Sequence, residues 1–447
     1  MTARFRQLMA DLSDKFWLLP ALLVLASIVL ALSLVELDRS GQLPHWLLEN
    51  WLYDGGATGA RTLLGAVASS TIGVAGTVFS ITIAALSLAA GQMGPRLLRN
   101  FTSDRGNQMT LGAFLGTFSY TLIVLRSVRT EAEGDFVPHL SLSVAIGLAF
   151  VCVATLVYFV GHMAGRINVD TVIELVGDDL YSAIHRLTTE TCQPDPPSLA
   201  VWRDAMTISE ARRGYLQELD EHGLADWAAE HGTAIMLLVR PGDYVFPGAP
   251  IALMKPPVEG ADAAVRNATA LGPTRGSSSD LRFAVRQLVE VAVRALSPGI
   301  NDPHTAISVI DRLGAALCEV KPRYLPSGVW LDDDRPVLFV PHIQYDQLLN
   351  SMFHMIRQNA CGNVTVLMRQ LEVLTQVVSY ERDPERMDGL RRHADLILGD
   401  AQRDVRNVQD LADLRRRHRI FTVTMEQGPM GIFTVQSRLE DRPPPAG

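Results

Sequence analysis

The chain has 447 residues, which is room for two or three domains, and its composition, 48% hydrophobic and 20% charged, favours a protein with membrane-embedded and soluble parts. Charge is divided unevenly: residues 1–168 carry 11 basic and 10 acidic side chains, whereas residues 169–447 carry 29 and 38, a net charge of −9. An acidic soluble part argues against nonspecific binding to nucleic acid, which needs a basic surface.

Four stretches of the first 168 residues lack Asp, Glu, Lys and Arg and are long enough to cross a bilayer. They cover residues 17–35, 62–95, 107–125 and 140–164. The first is followed by Glu36, Leu37, Asp38 and Arg39, which contain no small-residue cleavage site, so we interpret it as a retained span and not as a signal peptide. The sequence predicts an α-helical membrane domain of four transmembrane helices over residues 1–168.

The charges between the spans predict the orientation. The N-terminal tail and the loop between the second and third spans are basic, whereas the connectors 36–61 and 126–139 are acidic. Basic segments stay in the cytoplasm. Both termini are therefore predicted to be cytoplasmic, and residues 169–447 are predicted to form a cytoplasmic α+β domain.

One face of the second predicted helix carries small and hydroxyl side chains, which we call the small-residue stripe. Its members recur in steps of three, four and seven: Ser69, Gly73, Gly76, Ser80 and Ser87. Small residues let membrane helices approach closely, so one interpretation is a helix-packing face. The other is a conduit, in which the stripes of a symmetric homo-oligomer surround a pore and their hydroxyls replace part of an ion's hydration shell. The sequence leaves both open.

Titratable groups are nearly absent from the predicted spans. Asp, Glu, Lys and Arg do not occur there, and the histidines are His162, near the end of the fourth span, and His139, directly before its start. Proton-coupled carriers place acidic or histidine side chains within the membrane, facing a cavity. The pattern argues against such a carrier and is compatible with passive conduction.

Residues 214–257 predict a small barrel-like β module. A strand, a turn at Pro241, Gly242 and Asp243 and a second strand resemble half of the hammerhead module of biotinyl and lipoyl carriers. Lys255 lies at the end of a strand and not at the tip of a hairpin, so covalent attachment of a cofactor is not expected.

Residues 280–318 predict a helix–turn–helix corner, in which Asn301 or Asp302 caps the second helix and Pro303 occupies its first position. The polar residues of this corner form a candidate binding or gating site: Ser297, Asn301, Asp302, His304 and Thr305. The alternative is a capped corner with a structural role alone. Asp302 and His304 are too few ligands for a metal, and no motif supports Ser297 as a nucleophile.

Residues 345–419 predict a helical region of two long amphipathic segments, 345–381 and 384–419, with a basic run at the end of the second. Short strands are predicted at 337–340, 420–425 and 431–435. The four cysteines are scattered, and no glycine loop for phosphate is present, so the sequence predicts no metal and no cofactor.

Three segments carry a resemblance to a known family. They are RALSPGINDPHTAISVIDRL at 294–313, GVAGTVFSITIAALSLAAGQMGPRLLRNF at 73–101 and LGAFLGTFSYTLIVL at 111–125. Together they resemble the bacterial predicted membrane proteins of domain-of-unknown-function family 2254. The resemblance covers nearly the whole chain and implies a four-span inner-membrane protein with a cytoplasmic C-terminal domain, without an established activity.

Two hypotheses follow. The first is a homo-oligomeric, channel-like membrane protein that conducts a small ion and uses its cytoplasmic domain for sensing or assembly. The second is a non-conducting, membrane-anchored sensor or scaffold that recruits a cytoplasmic protein partner. Enzymatic activity is not expected.

Overall fold

The computed structural model describes residues 16–40, 56–93, 104–129, 136–166, 168–275 and 280–431. The chain divides into two compact units with a boundary between Asn168 and Val169. We call them the N-terminal and C-terminal units. The basic N-terminal tail, most of the basic loop between the second and third spans and nearly all of the predicted strand 431–435 lie outside the described residues.

The N-terminal unit contains four helices that are long and apolar enough to cross a membrane, as predicted. They are α1 (Leu18–Ser40), α2 (Ala57–Met93), α3 (Arg105–Ser127) and α4 (His139–Arg166). Helix α3 lies at the centre and packs against the other three. Half of the residues in the apolar 18-residue stretch of α3 are buried, compared with 17 to 28% in the corresponding stretches of the other three helices.

An aspartate and a tyrosine fasten one end of the bundle. Asp38, near the end of α1, accepts hydrogen bonds from the backbone N–H groups of Leu140 and Ser141 at 3.1 and 3.0 Å, at the start of α4. Buried Tyr120 of α3 donates a hydrogen bond to the Ser141 carbonyl oxygen at 2.9 Å. The two bonds to Asp38 satisfy N–H groups that a helix N-terminus otherwise leaves without partners, so the charge of Asp38 has a structural role.

The C-terminal unit contains eight strands in its described part. They are β1 (Met206–Glu210), β2 (Gly214–Leu219), β3 (Ala234–Leu237), β4 (Tyr244–Val245), β5 (Ala249–Lys255), β6 (Thr269–Gly272), β7 (Val329–Asp332) and β8 (Arg335–Phe339). Five form a sheet in the order β1-β5-β3-β8-β7, and three form a second sheet in the order β4-β2-β6. All pairs are antiparallel except β3 with β8.

The prediction of a barrel-like module is wrong, because neither sheet closes on itself. The strands of 214–257 divide between the two sheets. Within this segment β2 pairs with β4 and β3 pairs with β5, whereas the other neighbours come from elsewhere in the sequence: β1, β6 and β8. Strands β1 and β7 stand at opposite edges of the five-stranded sheet. Two short helices, α6 (Glu221–Glu230) and α7 (Ala261–Ala268), contribute Leu224 and Val265 to the core of this region.

The remaining elements of the C-terminal unit are helical. They are α5 (Val169–Leu187), α8 (Leu281–Ala295), α9 (Pro303–Val320), α10 (Tyr345–Leu349), a π-helix (Asn350–His354), α11 (Met355–Asn359), α12 (Val364–Tyr380), α13 (Pro384–Asp404) and α14 (Val408–Gln427). Helices α5, α8 and α9 pack together, and α12 packs against α9 and α14.

Two predicted elements near the C-terminus are corrected by the structure. The segment 384–419 is not one helix, because α13 ends at Asp404 and Asn407 caps α14 by accepting hydrogen bonds from the N–H groups of Gln409 and Asp410. The predicted strand 420–425 lies within α14. Its β-branched residues favour a strand locally. Phe421 and Thr424 are buried at helical spacing, however, and this tertiary packing stabilises the helix over the strand.

Candidate functional site

The small-residue stripe lies on the side of α2 that the other described helices of the N-terminal unit leave exposed. All five of its residues are exposed: Ser69, Gly73, Gly76, Ser80 and Ser87. The opposite side of α2 is buried in the bundle through residues that include Ala68, Ala75, Val78 and Ala85. At about 100° per residue the two sets face in opposite directions, so the stripe points away from the bundle.

The glycines of the stripe do not lie at a contact between the described helices of the bundle. Apart from the backbone of α2 itself and the adjacent residues, no described atom lies within 4 Å of a Cβ built on Gly73 or Gly76. The close contact inside the bundle belongs to α3 instead, where a Cβ on Gly112 would lie 2.5 Å from Leu23 Cδ1 and one on Gly116 would lie 2.6 Å from Ser27 Oγ. Packing among the described helices of the N-terminal unit therefore does not account for the stripe.

Hydroxyl groups on and beside the stripe donate to the backbone of their own helix. Ser80 Oγ donates to the Gly76 carbonyl oxygen at 2.9 Å, and Thr77 Oγ1 donates to that of Gly73 at 3.2 Å. Such bonds satisfy the hydroxyl hydrogen in an apolar environment and leave oxygen lone pairs as acceptors. Chemically, this face can pack closely against another helix or offer oxygen atoms to a cation.

A buried polar cluster joins the start of α3 to the end of α4. The Asp104 carboxylate accepts a hydrogen bond from the backbone N–H of Gly106 at 2.7 Å and lies 2.9 Å from Nε2 of His162. Tyr158 stacks on the imidazole with ring centroids 5.2 Å apart. Only 2% of the Asp104 side chain is exposed. The sequence places His162 near the end of a span but gives no sign of this partner.

Asn107 continues this cluster into the first turn of α3. It is 2% exposed, and its side-chain amide has no hydrogen-bond partner among the described residues. A Cβ on the neighbouring Gly106 would lie 2.9 Å from His162 Nε2 and 3.0 Å from Tyr158 Oη, so a larger residue here would displace these side chains. The cluster fastens α3 to α4 and places an acidic group at the boundary of the span.

The helix–turn–helix corner joins α8 to α9, and most of its polar groups bond within the corner. Asp302 is the N-cap of α9: its carboxylate accepts hydrogen bonds from the N–H groups of His304 and Thr305 at 3.1 and 3.2 Å and from Thr305 Oγ1 at 2.6 Å. Ser297 Oγ donates to the Arg294 carbonyl oxygen at 2.7 Å. Asn301 adopts the left-handed conformation, with φ of 50°. The hydrogen bond from Thr305 lowers the pKa of Asp302.

The five corner residues thus lie close together, but the side chains of Ser297, Asp302 and Thr305 form hydrogen bonds within the turn. The side chains of Asn301 and His304 are exposed. Within the described residues no three His, Cys, Asp or Glu side chains are grouped so that they hold a metal ion. The geometry supports a capped corner with two outward-facing polar side chains.

Comparison with known proteins agrees with the four apolar helices of the N-terminal unit, because the similar family consists of predicted membrane proteins. A family model described as a predicted membrane protein, DUF2254, matches residues 13–376. The chain is similar to the uncharacterised proteins MT1328 and Rv1290c of Mycobacterium tuberculosis and Mb1321c of Mycobacterium bovis. Each is 32% identical over 380 residues, which cover 82% of this chain and 73% of the relative. No solved structure matches the chain.

Proposed function

From the premise that the chain belongs to the DUF2254 family of predicted membrane proteins, we propose that it is a homo-oligomeric, channel-like protein and not an enzyme. In this proposal the protein lies in the bacterial inner membrane with both termini in the cytoplasm. Its small-residue stripes face one another across subunits, and the C-terminal unit senses a signal or assembles the ring.

The observation that carries this proposal is the uncovered stripe on α2. A membrane helix whose outer face met only lipid would gain nothing from small and hydroxyl residues, because lipid tails pack equally well against large apolar side chains. Small residues gain van der Waals contact when another helix approaches closely. Since no described helix of the N-terminal unit covers this face, a second copy is the partner that the proposal requires.

Conduction is supported by the chemistry of the same face. Residues 62–95 contain no charged side chain that would trap an ion, and the stripe offers hydroxyl oxygens along its length. Oxygen-lined paths replace part of an ion's hydration shell while binding it weakly enough to release it. A ring of these helices would therefore provide a path without a fixed charge.

The second candidate function is a non-conducting sensor or scaffold. The intrahelical hydrogen bonds of Ser80 and Thr77 favour it, because a hydroxyl already satisfied by its own helix needs no ion. In that case the stripes pack closely and leave no path, and the C-terminal unit recruits a protein partner.

The test is ion flux into liposomes, measured for the wild type, Ser80→Leu and Ser70→Leu. Both serines are exposed on α2 and donate to their own helix, but Ser70 lies about a quarter turn from the stripe. We expect Ser80→Leu to abolish flux of K⁺ or Cl⁻ and Ser70→Leu to retain it, with oligomeric mass measured in the same preparations.

The outcomes separate the two functions. Loss of flux in a Ser80→Leu protein that still forms the oligomer supports the conduit. An oligomer with no flux of either ion under varied voltage, pH and salt supports the scaffold. A monomeric wild type in a native-like lipid environment contradicts both uses of the stripe.

A further inference from the structure

A cleft of about 440 Å³ lies in the C-terminal unit between α8 and the π-helix. This volume is within the range of small-molecule sites, roughly 300 to 1,000 Å³. Its polar lining residues are Arg282, Arg286, Asn350, Ser351 and His354, and Val289 and Met355 supply apolar surface. None of the described residues that line it is acidic. The cleft is thus positively charged at one wall and mixed in polarity at the other.

The α8 wall presents two arginines one helical turn apart. Arg282 is held in place by two carboxylates: Nη2 donates to Asp243 Oδ1 at 2.9 Å and Nε donates to Asp280 Oδ1 at 3.3 Å. These bonds leave the two N–H groups of Nη1 for a further acceptor. Arg286 is exposed on the same face of α8. A guanidinium already fixed in position loses little side-chain entropy when it binds an anion.

The carboxylates around Arg282 do not neutralise this wall. Asp280 also accepts a hydrogen bond from Arg275 Nε at 3.0 Å, and Asp243 is 4.0 Å from Arg240 Nε. Three arginines therefore share two carboxylates, which leaves a net positive charge on this wall. Burial and the repulsion of nearby Arg282 lower the pKa of Arg240, which agrees with an excess of positive charge.

The opposite wall is a π-helix, a rare element that often occurs at functional sites. Buried Met352 and Phe353 anchor it in the core. Asn350, Ser351 and His354 are partly exposed and line the cleft. This wall supplies amide, hydroxyl and imidazole groups opposite the arginines, with the exposed Met355 at its end.

We propose that this cleft binds a phosphate monoester, with its phosphate held by Arg282 and Arg286 and its organic part against Val289 and Met355. Two adjacent guanidinium groups match a dianion with three terminal oxygens, whereas a single carboxylate occupies one guanidinium. The assignment does not depend on whether the N-terminal unit conducts ions.

The test is isothermal titration calorimetry of the full-length protein in detergent with three probes. AMP represents a soluble phosphate monoester, adenosine is its uncharged counterpart, and dihexanoyl phosphatidic acid represents a lipid headgroup. We expect saturable binding of AMP or phosphatidic acid at one site per chain and none of adenosine. Binding of AMP identifies a soluble ligand, and binding of phosphatidic acid alone identifies a headgroup. Absence of saturable binding of both phosphates at millimolar concentration overturns the proposal.

Variants locate the binding. Arg286→Gln removes an exposed charge from the cleft and should weaken binding about tenfold, the loss of one charge-assisted contact. Met355→Glu places a carboxylate at the exposed edge of the cleft and should weaken it at least as much. The matched control is Arg391→Gln, an exposed arginine of α13 that pairs only with Asp388 in the described structure. Wild-type affinity in Arg286→Gln, or an equal loss in Arg391→Gln, overturns the assignment.

Discussion

The side chain of Asp302 stabilises the corner between α8 and α9. Its carboxylate accepts three hydrogen bonds at the N-terminus of α9, and Pro303 follows at the first helical position. A negative charge at this end also interacts favourably with the helix dipole. The corner therefore depends on an ionised Asp302.

Replacing Asp302 with alanine should destabilise α9 by about 1 kcal/mol, the usual cost of losing an N-cap, and so speed its local opening about fivefold. Hydrogen–deuterium exchange of peptides from 303–320 in the full-length protein measures this. His304→Ala is the control, because its backbone N–H still donates to Asp302 and its side chain is exposed. Equal exchange in Asp302→Ala and the wild type would show that the cap is dispensable.

The same experiment has a predicted pH dependence. Because the folded-state pKa of Asp302 is lowered, its contribution to stability is complete above the unfolded-state pKa, near 4, and is lost as the pH falls through the folded-state value. The difference between wild type and Asp302→Ala should therefore be constant near neutral pH and shrink in acid.

At the residue scale, the helix cap within a short turn could be predicted from the sequence, whereas a contact between residues far apart in the sequence could not. The turn SPGINDPHT contains its own breaker, cap and first-turn proline, so a cap at Asn301 or Asp302 followed by Pro303 was predicted from neighbouring residues alone, and the structure places the cap at Asp302. Asp104 and His162 are 58 positions apart, and neither lies in a motif. Their pairing depends on how α3 and α4 pack, and a single sequence does not contain that information.

At the scale of helices, the same residue types serve two purposes in the N-terminal unit. Gly112 and Gly116 of α3 lie against α1, whereas Gly73 and Gly76 of α2 face away from the bundle. Composition alone does not distinguish them, because each set forms a small-residue face suited to close helix contact. The difference lies in which face the neighbouring helices cover.

This difference predicts opposite results for two glycine substitutions. Gly116→Leu should destabilise the bundle by about 1 to 3 kcal/mol, because a larger side chain collides with Ser27 and Leu23 of α1. Gly76→Leu should leave the bundle intact, since no described atom of another helix is within 4 Å of a Cβ at this position, and should weaken association between subunits instead.

A buried thiol provides the measurement. Cys152 of α4 is 3% exposed, whereas the other three cysteines are exposed and can be replaced with serine: Cys192, Cys318 and Cys361. Labelling of Cys152 by a thiol-reactive dye during heating then reports opening of the N-terminal unit. We expect a labelling midpoint several degrees lower in Gly116→Leu and unchanged in Gly76→Leu, whose oligomeric mass should fall. The reverse order would contradict the assignment of the two faces.

Among the elements, the long apolar helices were predicted from composition, whereas strand partners were not. Residues 214–219 and 234–237 were predicted as strands of one module, yet they belong to different sheets because β2 pairs with β6 and β3 pairs with β8. The segment 420–425 was predicted as a strand because residues such as Ile420 and Val423 are β-branched. Burial of Phe421 on one face of α14 outweighs that local preference.

At the scale of the whole molecule, the two compact units differ in charge as well as in structure. Residues 1–168 are nearly neutral in total, and their basic groups outside the spans concentrate in the N-terminal tail and the loop between the second and third spans. Residues 169–447 carry a net charge of −9. A membrane sorts short basic segments to the cytoplasmic side, whereas a large acidic domain has little effect on orientation. The small basic segments therefore determine the proposed topology.

The topology is tested by reporter fusions in a bacterial host. With four spans and a cytoplasmic N-terminus, a C-terminal green fluorescent protein should fluoresce, and alkaline phosphatase inserted in the acidic connector 36–61 or 126–139 should be active. Replacing Arg96 and Arg99 with glutamine removes two of the three arginines of the basic loop and should increase the fraction of inverted molecules. Arg415→Gln with Arg419→Gln is the matched control, because these arginines lie in α14, far from the spans in sequence. Active phosphatase at the C-terminus of the unmodified chain would contradict the four-span orientation, and an equal effect of both arginine pairs would contradict the role of the loop.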